Sequence, residues 1–226
     1  SEVFRKSSLF DDLLILVNQA RCLAVTLSIV ISRGRQSVNF RTFHQRGHLV
    51  KSRLLYLPNK FSPEPSKPVH QVFECYRYAT IIFNELVIHG VQEDLSPISA
   101  LQLLTPRLLQ AVIALNLEES LEDHAESLLW VFMIGGMTSL DLEARTSFLS
   151  PIRKTARFLH LETRVWQEVK EPLLRYLWVE EVLDRFLIKL WVEVQEEPDS
   201  EAVQGASVPG VMNLTVLDRP QCNANK

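Results

Sequence analysis

The sequence predicts an all-α protein, an irregular multi-helix bundle with short loops, and three observations carry that expectation. Apolar residues recur at helical spacing along nearly the whole chain. No convincing run of strict apolar–polar alternation is bounded by hairpin turns, so strands are expected to be few or absent. Hydroxyl–proline pairs at Ser96-Pro97, Thr105-Pro106 and Ser150-Pro151 read as helix starts. There the hydroxyl can satisfy an orphan amide, and proline at the first helical position loses no hydrogen bond. With 46% hydrophobic and 23% charged residues the chain can bury a substantial core, which argues against wholesale disorder.

The first element runs through "LLILVNQARCLAVTLSIVI", residues 13 to 31, which by length alone could mimic a transmembrane span. On a helical wheel Asp11, Asp12, Asn18, Gln19, Arg21, Thr26 and Ser28 occupy one half. Leu13, Leu16, Val17, Ala20, Leu23, Ala24, Leu27 and Ile31 occupy the other, at core-facing spacing. The expectation is a soluble amphipathic helix and no membrane. From Arg33 to Lys60 come seven cationic residues and no acid, with Phe40, Phe43 and Tyr56 interleaved. That pattern raises nucleic-acid binding, but a formal net charge of −3 favours a solvated basic face with Phe40, Phe43, Leu54 and Leu57 turned inward.

"PNKFSPEPSKP", residues 58 to 68, reads as a proline-rich surface loop. Val72, Tyr76, Ala79, Phe83 and Leu86 give the next stripe, with Glu74 and Arg77 paired off that face. Leu108, Val112 and Leu115 give another, and Ser120 with Asp123 reads as a capping pair amid the acids Glu118, Glu119 and Glu122. The run "LLWVFMIGGMTSL", residues 128 to 140, is apolar yet carries Gly135 and Gly136, which fit a helix end or a close approach of another backbone. Trp166, Val169, Leu173 and Leu177 form a further stripe that Pro172 should break or kink. Leu183, Phe186, Leu187, Leu190 and Val194 form the last. Residues 1–194 are therefore expected to be one helical domain and 195–226 a mobile, polar and acidic tail.

Chemistry is hard to assemble from these residues. Neither a dinucleotide fingerprint nor a phosphate loop can be written from the glycines, and no nucleophile elbow surrounds a serine. His44 and His48 in "HQRGH" have zinc-compatible spacing, but the intervening residues supply no carboxylate and Gly47 weakens the helix. Cys22, Cys75 and Cys222 lie far apart, so one stays unpaired and a reducing compartment is expected. The chain begins at Ser1 without a basic-then-apolar leader, as expected of a fragment or a processed chain. No catalytic residue, metal or cofactor is expected. The tryptophans Trp130, Trp166, Trp178 and Trp191 read as buried anchors, or as the walls of a ligand pocket.

One ordered series stands out in the second half: an acidic helix start, "LLWVFMIGG", "FLSPI", "WQEVKEPLLRYLW" and "LDRFLIKLWVEV". It resembles the fungal-specific regulatory domain of fungal zinc-cluster transcription factors, over roughly residues 72 to 194. The positions that match are Trp130, Gly135, Gly136, Trp166, Leu177, Trp178 and Trp191, and "ECYRYATIIF" is similar to an earlier helix of that family. The resemblance implies a nuclear, non-enzymatic module that acts in transcription through co-regulators or other transcription-machinery proteins, a small-molecule effector, or a homodimer. DNA would be met only through a six-cysteine zinc region, which the three cysteines of this chain cannot make. The alternative is a standalone helical protein that binds a hydrophobic ligand and has no role at DNA.

Overall fold

A computed structural model describes residues 2–34, 38–57, 68–89 and 98–196, with side chains placed from residue 10 onward except at Pro68 and Ile98. The expectations for most of the proline-rich loop, for Ser96-Pro97, for Cys222 and for the tail beyond Glu196 lie outside them. Eight helices make up the described residues, and no strand occurs among them. They are α1 (Glu2–Arg33), α2 (Phe40–Tyr56), α3 (Pro68–His89), α4 (Ile98–Ala114), α5 (Leu117–Thr138), α6 (Leu142–Phe158), α7 (Trp166–Leu173) and α8 (Glu180–Glu196). The all-α expectation holds, and the described connections from α4 onward, at 115–116, 139–141, 159–165 and 174–179, are short. Gln195 and Glu196 belong to the last turn of α8, so that helix runs two residues past the expected end of the domain.

Two helices organise the packing. Helix α3 meets α1, α2, α4 and α5, while α5 meets α3, α4, α6, α7 and α8. The sequence explains the second hub. From Leu128 to Gly136 every residue of α5 is buried, and a helix that is apolar all round must be enclosed on all sides. In α3 the buried run from Ala79 to Glu85 is just as continuous, although it includes polar Thr80, Asn84 and Glu85.

Helix α1 joins this core through Leu13, Leu16, Ala20, Leu23, Ala24, Leu27 and Val30, packing on α2, α3 and α8. Ile31 was expected inside and is exposed, while Val30 takes the inward place near the helix end. The opposite half is also less polar than the wheel suggested, because Leu14, Ile15, Val25 and Ile29 are exposed there. Phe186 of α8, expected inside, is likewise exposed.

Two proline signals mark interiors and not starts. Pro106 sits within α4 and Pro151 within α6. Proline lacks the amide that would bond back one turn, yet both helices continue because the neighbouring apolar positions are held by the core. Thr105, expected as a cap, is buried with its hydroxyl 3.2 Å from that of Thr138. The actual caps come earlier. Asp141 accepts the amide of Ala144 at 2.7 Å to start α6, and Asn116 precedes α5 with its amide bound to Glu119 at 3.1 Å. Ser120, expected to cap, instead donates to the Asn116 carbonyl from within the helix at 2.7 Å. At the other end of α6, His160 adopts φ 56°. The amides of His160 and Leu161 bond back to Arg157 and Ala156, a helix-ending motif that usually uses glycine.

Candidate functional site

Several of the resemblance positions lie where α5 packs against α6, α8 and the α7–α8 connection. Gly135 and Gly136 lie within one turn of the C-cap at Ser139. A Cβ on Gly135 would run into the ring of Phe148 from α6, and one on Gly136 would meet Leu190 Cδ2 of α8 at 3.0 Å. The glycines lie near the helix end, one of the two places the sequence had suggested, and what approaches them is side chains of two other helices and not another backbone. The carbonyls here are also in use: Ser139 Oγ donates to Gly135 O at 2.9 Å, and Arg145 reaches Gly136 O at 3.4 Å.

The tryptophans tie the same region together. Trp130 is buried, and its indole N–H donates to the carbonyl of Leu177 at 2.9 Å while its ring stacks on Tyr176. Leu177 is itself buried. Trp191 is buried and donates to Arg164 O at 3.1 Å. Trp178, half-buried, donates to Asp184 at 3.1 Å and lies against half-buried Trp166, with ring centroids 6.3 Å apart. The Trp166 N–H is buried without an acceptor among the described residues. Buried Lys170 completes the α7–α8 seam, reaching Asp184 at 2.6 Å and Glu180 at 3.1 Å. Burial works against its charge, and the two carboxylates outweigh that and raise its pKa. Arg145 and Glu193 then clamp α6 to α8 at 2.6 Å.

A second polar seam, which the sequence did not reveal, joins α2 to α3. Asn84 donates to the Gly47 carbonyl at 3.0 Å, and Lys51 pairs with the buried carboxylate of Glu85 at 2.9 Å. Gly47 is required here, since a Cβ would lie 2.5 Å from Ile88 Cγ1. Arg77 was expected as a surface partner of Glu74. It is buried, bonded to Glu74 at 2.6 Å and to Leu54 O at 3.3 Å. Three buried polar atoms of this seam, Asn84 Oδ1, Glu85 Oε1 and His89 Nδ1, have no hydrogen-bond partner among the described residues. His44 faces the same end. Its own burial, and then the charges of His48 and His89, hold its pKa below the usual histidine value. Among the described residues no group of three or more His, Cys, Asp or Glu side chains is arranged to hold a metal.

The open space lies elsewhere. Two adjoining clefts of about 310 and 360 Å³ run between α1 and α2 and share Leu23, Thr26 and Arg46. Leu23, Phe43 and Val50 form apolar wall, and Thr26, Thr42 and Arg46 bring hydroxyls and a guanidinium to the rim. A ligand with an apolar body and a polar or anionic edge suits that lining. None of the four tryptophans borders either cleft, so these are not the tryptophan-walled pocket considered from sequence. The basic run is partly absorbed in the same way: Lys51 serves the α2–α3 seam and Arg46 the groove. By length and composition Phe10–Arg33 is long and apolar enough to cross a membrane, although its Leu13–Val30 stripe is buried against protein.

No family model, curated protein or solved structure matches the chain.

Proposed function

We propose that the chain is a non-enzymatic regulatory module of the kind found in fungal zinc-cluster transcription factors, acting in the nucleus through protein or small-ligand contacts. The observation that supports this reading is that two of the positions lie on links between α5 and the later helices: Trp130 bonds to the carbonyl of Leu177, beside Trp178, and Gly136 receives Leu190, beside Trp191. Residues singled out by their order in sequence thus take part in the packing of α5 to α8 on one another. Their hydrogen bonds are structural: indole to carbonyl, indole to carboxylate. Regulation would then work by population shift. An occupant of the α1–α2 groove that prefers one arrangement of α1 on α2 and α3 changes how often that arrangement is present.

The test is to fuse residues 1–226 to a heterologous DNA-binding domain and measure a reporter in nuclei. The reading expects transcription to rise or fall several-fold relative to the DNA-binding domain alone. Unchanged transcription at matched nuclear levels contradicts it. The open α1–α2 clefts favour a second reading, a standalone helical protein that carries an apolar ligand. Native mass spectrometry of the purified chain would show a bound apolar mass, lost when Leu23 is replaced by a charged residue.

A further inference from the structure

We infer that α1 and α2 together present a membrane-binding face, which lies flat on the surface of an anionic phospholipid bilayer. This face is independent of the regulatory reading above.

Helix α1 gives only one side to the core. Its buried stripe, from Leu13 to Val30, packs on α2, α3 and α8, so the helix is not free to cross a bilayer. The opposite side is aliphatic and open to solvent: Leu14 is 58% exposed, Ile15 48%, Val25 56% and Ile29 38%. With Cys22 among them they fall on one side of the helical wheel, along about 22 Å of axis at 1.5 Å per residue. Helix α2 widens this strip. Thr26 borders one cleft with Thr42, and Gln19 borders the other with Leu49, so the two helices run antiparallel with their outer edges adjoining. Arg46, Leu49, Arg53 and Tyr56 follow that edge of α2 in steps of three and four. Leu49 is 56% exposed and Tyr56 67%.

The charges choose the occupant. From Leu13 to Pro63 the sequence holds no Asp or Glu, while Arg33, Arg46 and Arg53 stand exposed around the aliphatic residues. Asp11 and Asp12 precede the strip at one end. Glu181 lies on the α8 side, where its carboxylate accepts the Ser28 hydroxyl at 3.3 Å. Arg21 is drawn to that side too, donating to the carbonyl of Arg175 at 3.0 Å. An aliphatic centre rimmed by guanidiniums, with no carboxylate between them, matches a bilayer interface. Acyl chains take the aliphatic tips while lipid phosphates meet the arginines. Tyrosine, apolar in body and polar at its tip, suits the headgroup level. A nucleic acid offers phosphates without an apolar layer beneath them for Leu14, Ile15, Val25 and Ile29.

The test floats the full chain with vesicles of phosphatidylcholine alone and of phosphatidylcholine mixed with phosphatidylserine. A polarity-sensitive dye on Cys22, in a Cys222→Ser chain, reports the same binding, because Cys75 is buried and Cys22 exposed. Binding to the mixed vesicles is expected to be at least roughly tenfold tighter than to phosphatidylcholine, with a blue shift of the dye. Raised salt should weaken it. Ile15→Gln with Val25→Gln, and separately Arg46→Gln with Arg53→Gln, should each weaken binding roughly tenfold. The helical circular dichroism signal should stay unchanged in both, since all four side chains are exposed. Absence of flotation with the mixed vesicles overturns the proposal. Binding indifferent to the aliphatic pair overturns it as well, because the contact is then charge alone. Duplex DNA that binds the chain as tightly as the mixed vesicles do, with the same arginine dependence, overturns it in favour of a nucleic-acid face. A dye shift that grows with protein concentration in the absence of vesicles, without flotation in their presence, overturns it in favour of a second copy of the chain.

Discussion

At the scale of single residues, Gly135 and Gly136 look alike in sequence and differ in what surrounds them. Alanine in a helix gains about 1 kcal/mol over glycine. At Gly136 the nearest obstacle is the flexible end of Leu190, at 3.0 and 3.3 Å, which can yield. At Gly135 the obstacle is the buried ring of Phe148. Gly136→Ala is therefore expected to leave stability within about 1 kcal/mol of wild type, whereas Gly135→Ala should cost about 1–3 kcal/mol despite its propensity gain. Urea midpoints of the two variants and of Gly135→Ala with Phe148→Leu, which should recover part of the loss, check this. That two glycines in an apolar run serve close packing was legible in the sequence. Which helices approach, and that they do so with side chains, was not, since Phe148 and Leu190 come from other elements. His44 supplies the pH dependence. Its folded pKa lies below the ordinary 6.5, so the unfolded chain binds the proton first and stability falls as pH drops below about 6.5 toward the folded value. His44→Gln should flatten the stability curve in that window and leave it unchanged above neutrality.

At the scale of elements, the stripes of α3, α5 and α7 could be read directly because apolar periodicity is a local property. The ends of the helices could not. Thr105-Pro106 and Ser150-Pro151 carry real capping chemistry, but packing of Leu101, Leu104 and Leu108 on one side, and of Phe148, Ile152 and Thr155 on the other, keeps the chain helical through each proline. Replacing exposed Pro106 by alanine should therefore stabilise the protein by about 1–2 kcal/mol, the helix gain less the added freedom of the unfolded chain. His160, held at φ 56° where glycine is strain-free, gives a matching case at the end of α6. His160→Gly is expected to stabilise by about 1 kcal/mol, less whatever its added unfolded-state entropy takes back. Thermal midpoints of both variants test the two statements. The charged seams escaped the sequence for a related reason. Arg77, Glu85 and Lys170 belong to residue types that normally face water, and only the arrival of Leu54, Lys51 and Asp184 from elsewhere lets them be buried.

At the scale of the whole molecule, the sequence led to the expectation of one helical domain over residues 1–194, with the proline-rich segment 58–68 lying within it. Helix α1 packs on α2, α3 and α8, and α3 passes that packing to α5. Arg21 and Ser28 reinforce the link by bonding to Arg175 O and Glu181 across the fold. Ser1–Glu196 forms one compact unit, so it should unfold as one. The tryptophans all lie between positions 130 and 191, whereas far-ultraviolet circular dichroism also reports α1 to α4. The most direct test is to follow urea unfolding of residues 1–196 by tryptophan fluorescence and by circular dichroism. A shared core predicts superimposable transitions with one midpoint. An early loss of helical signal while the tryptophan environment stays native would show that α1 and α2 fold apart from the rest and contradict the account.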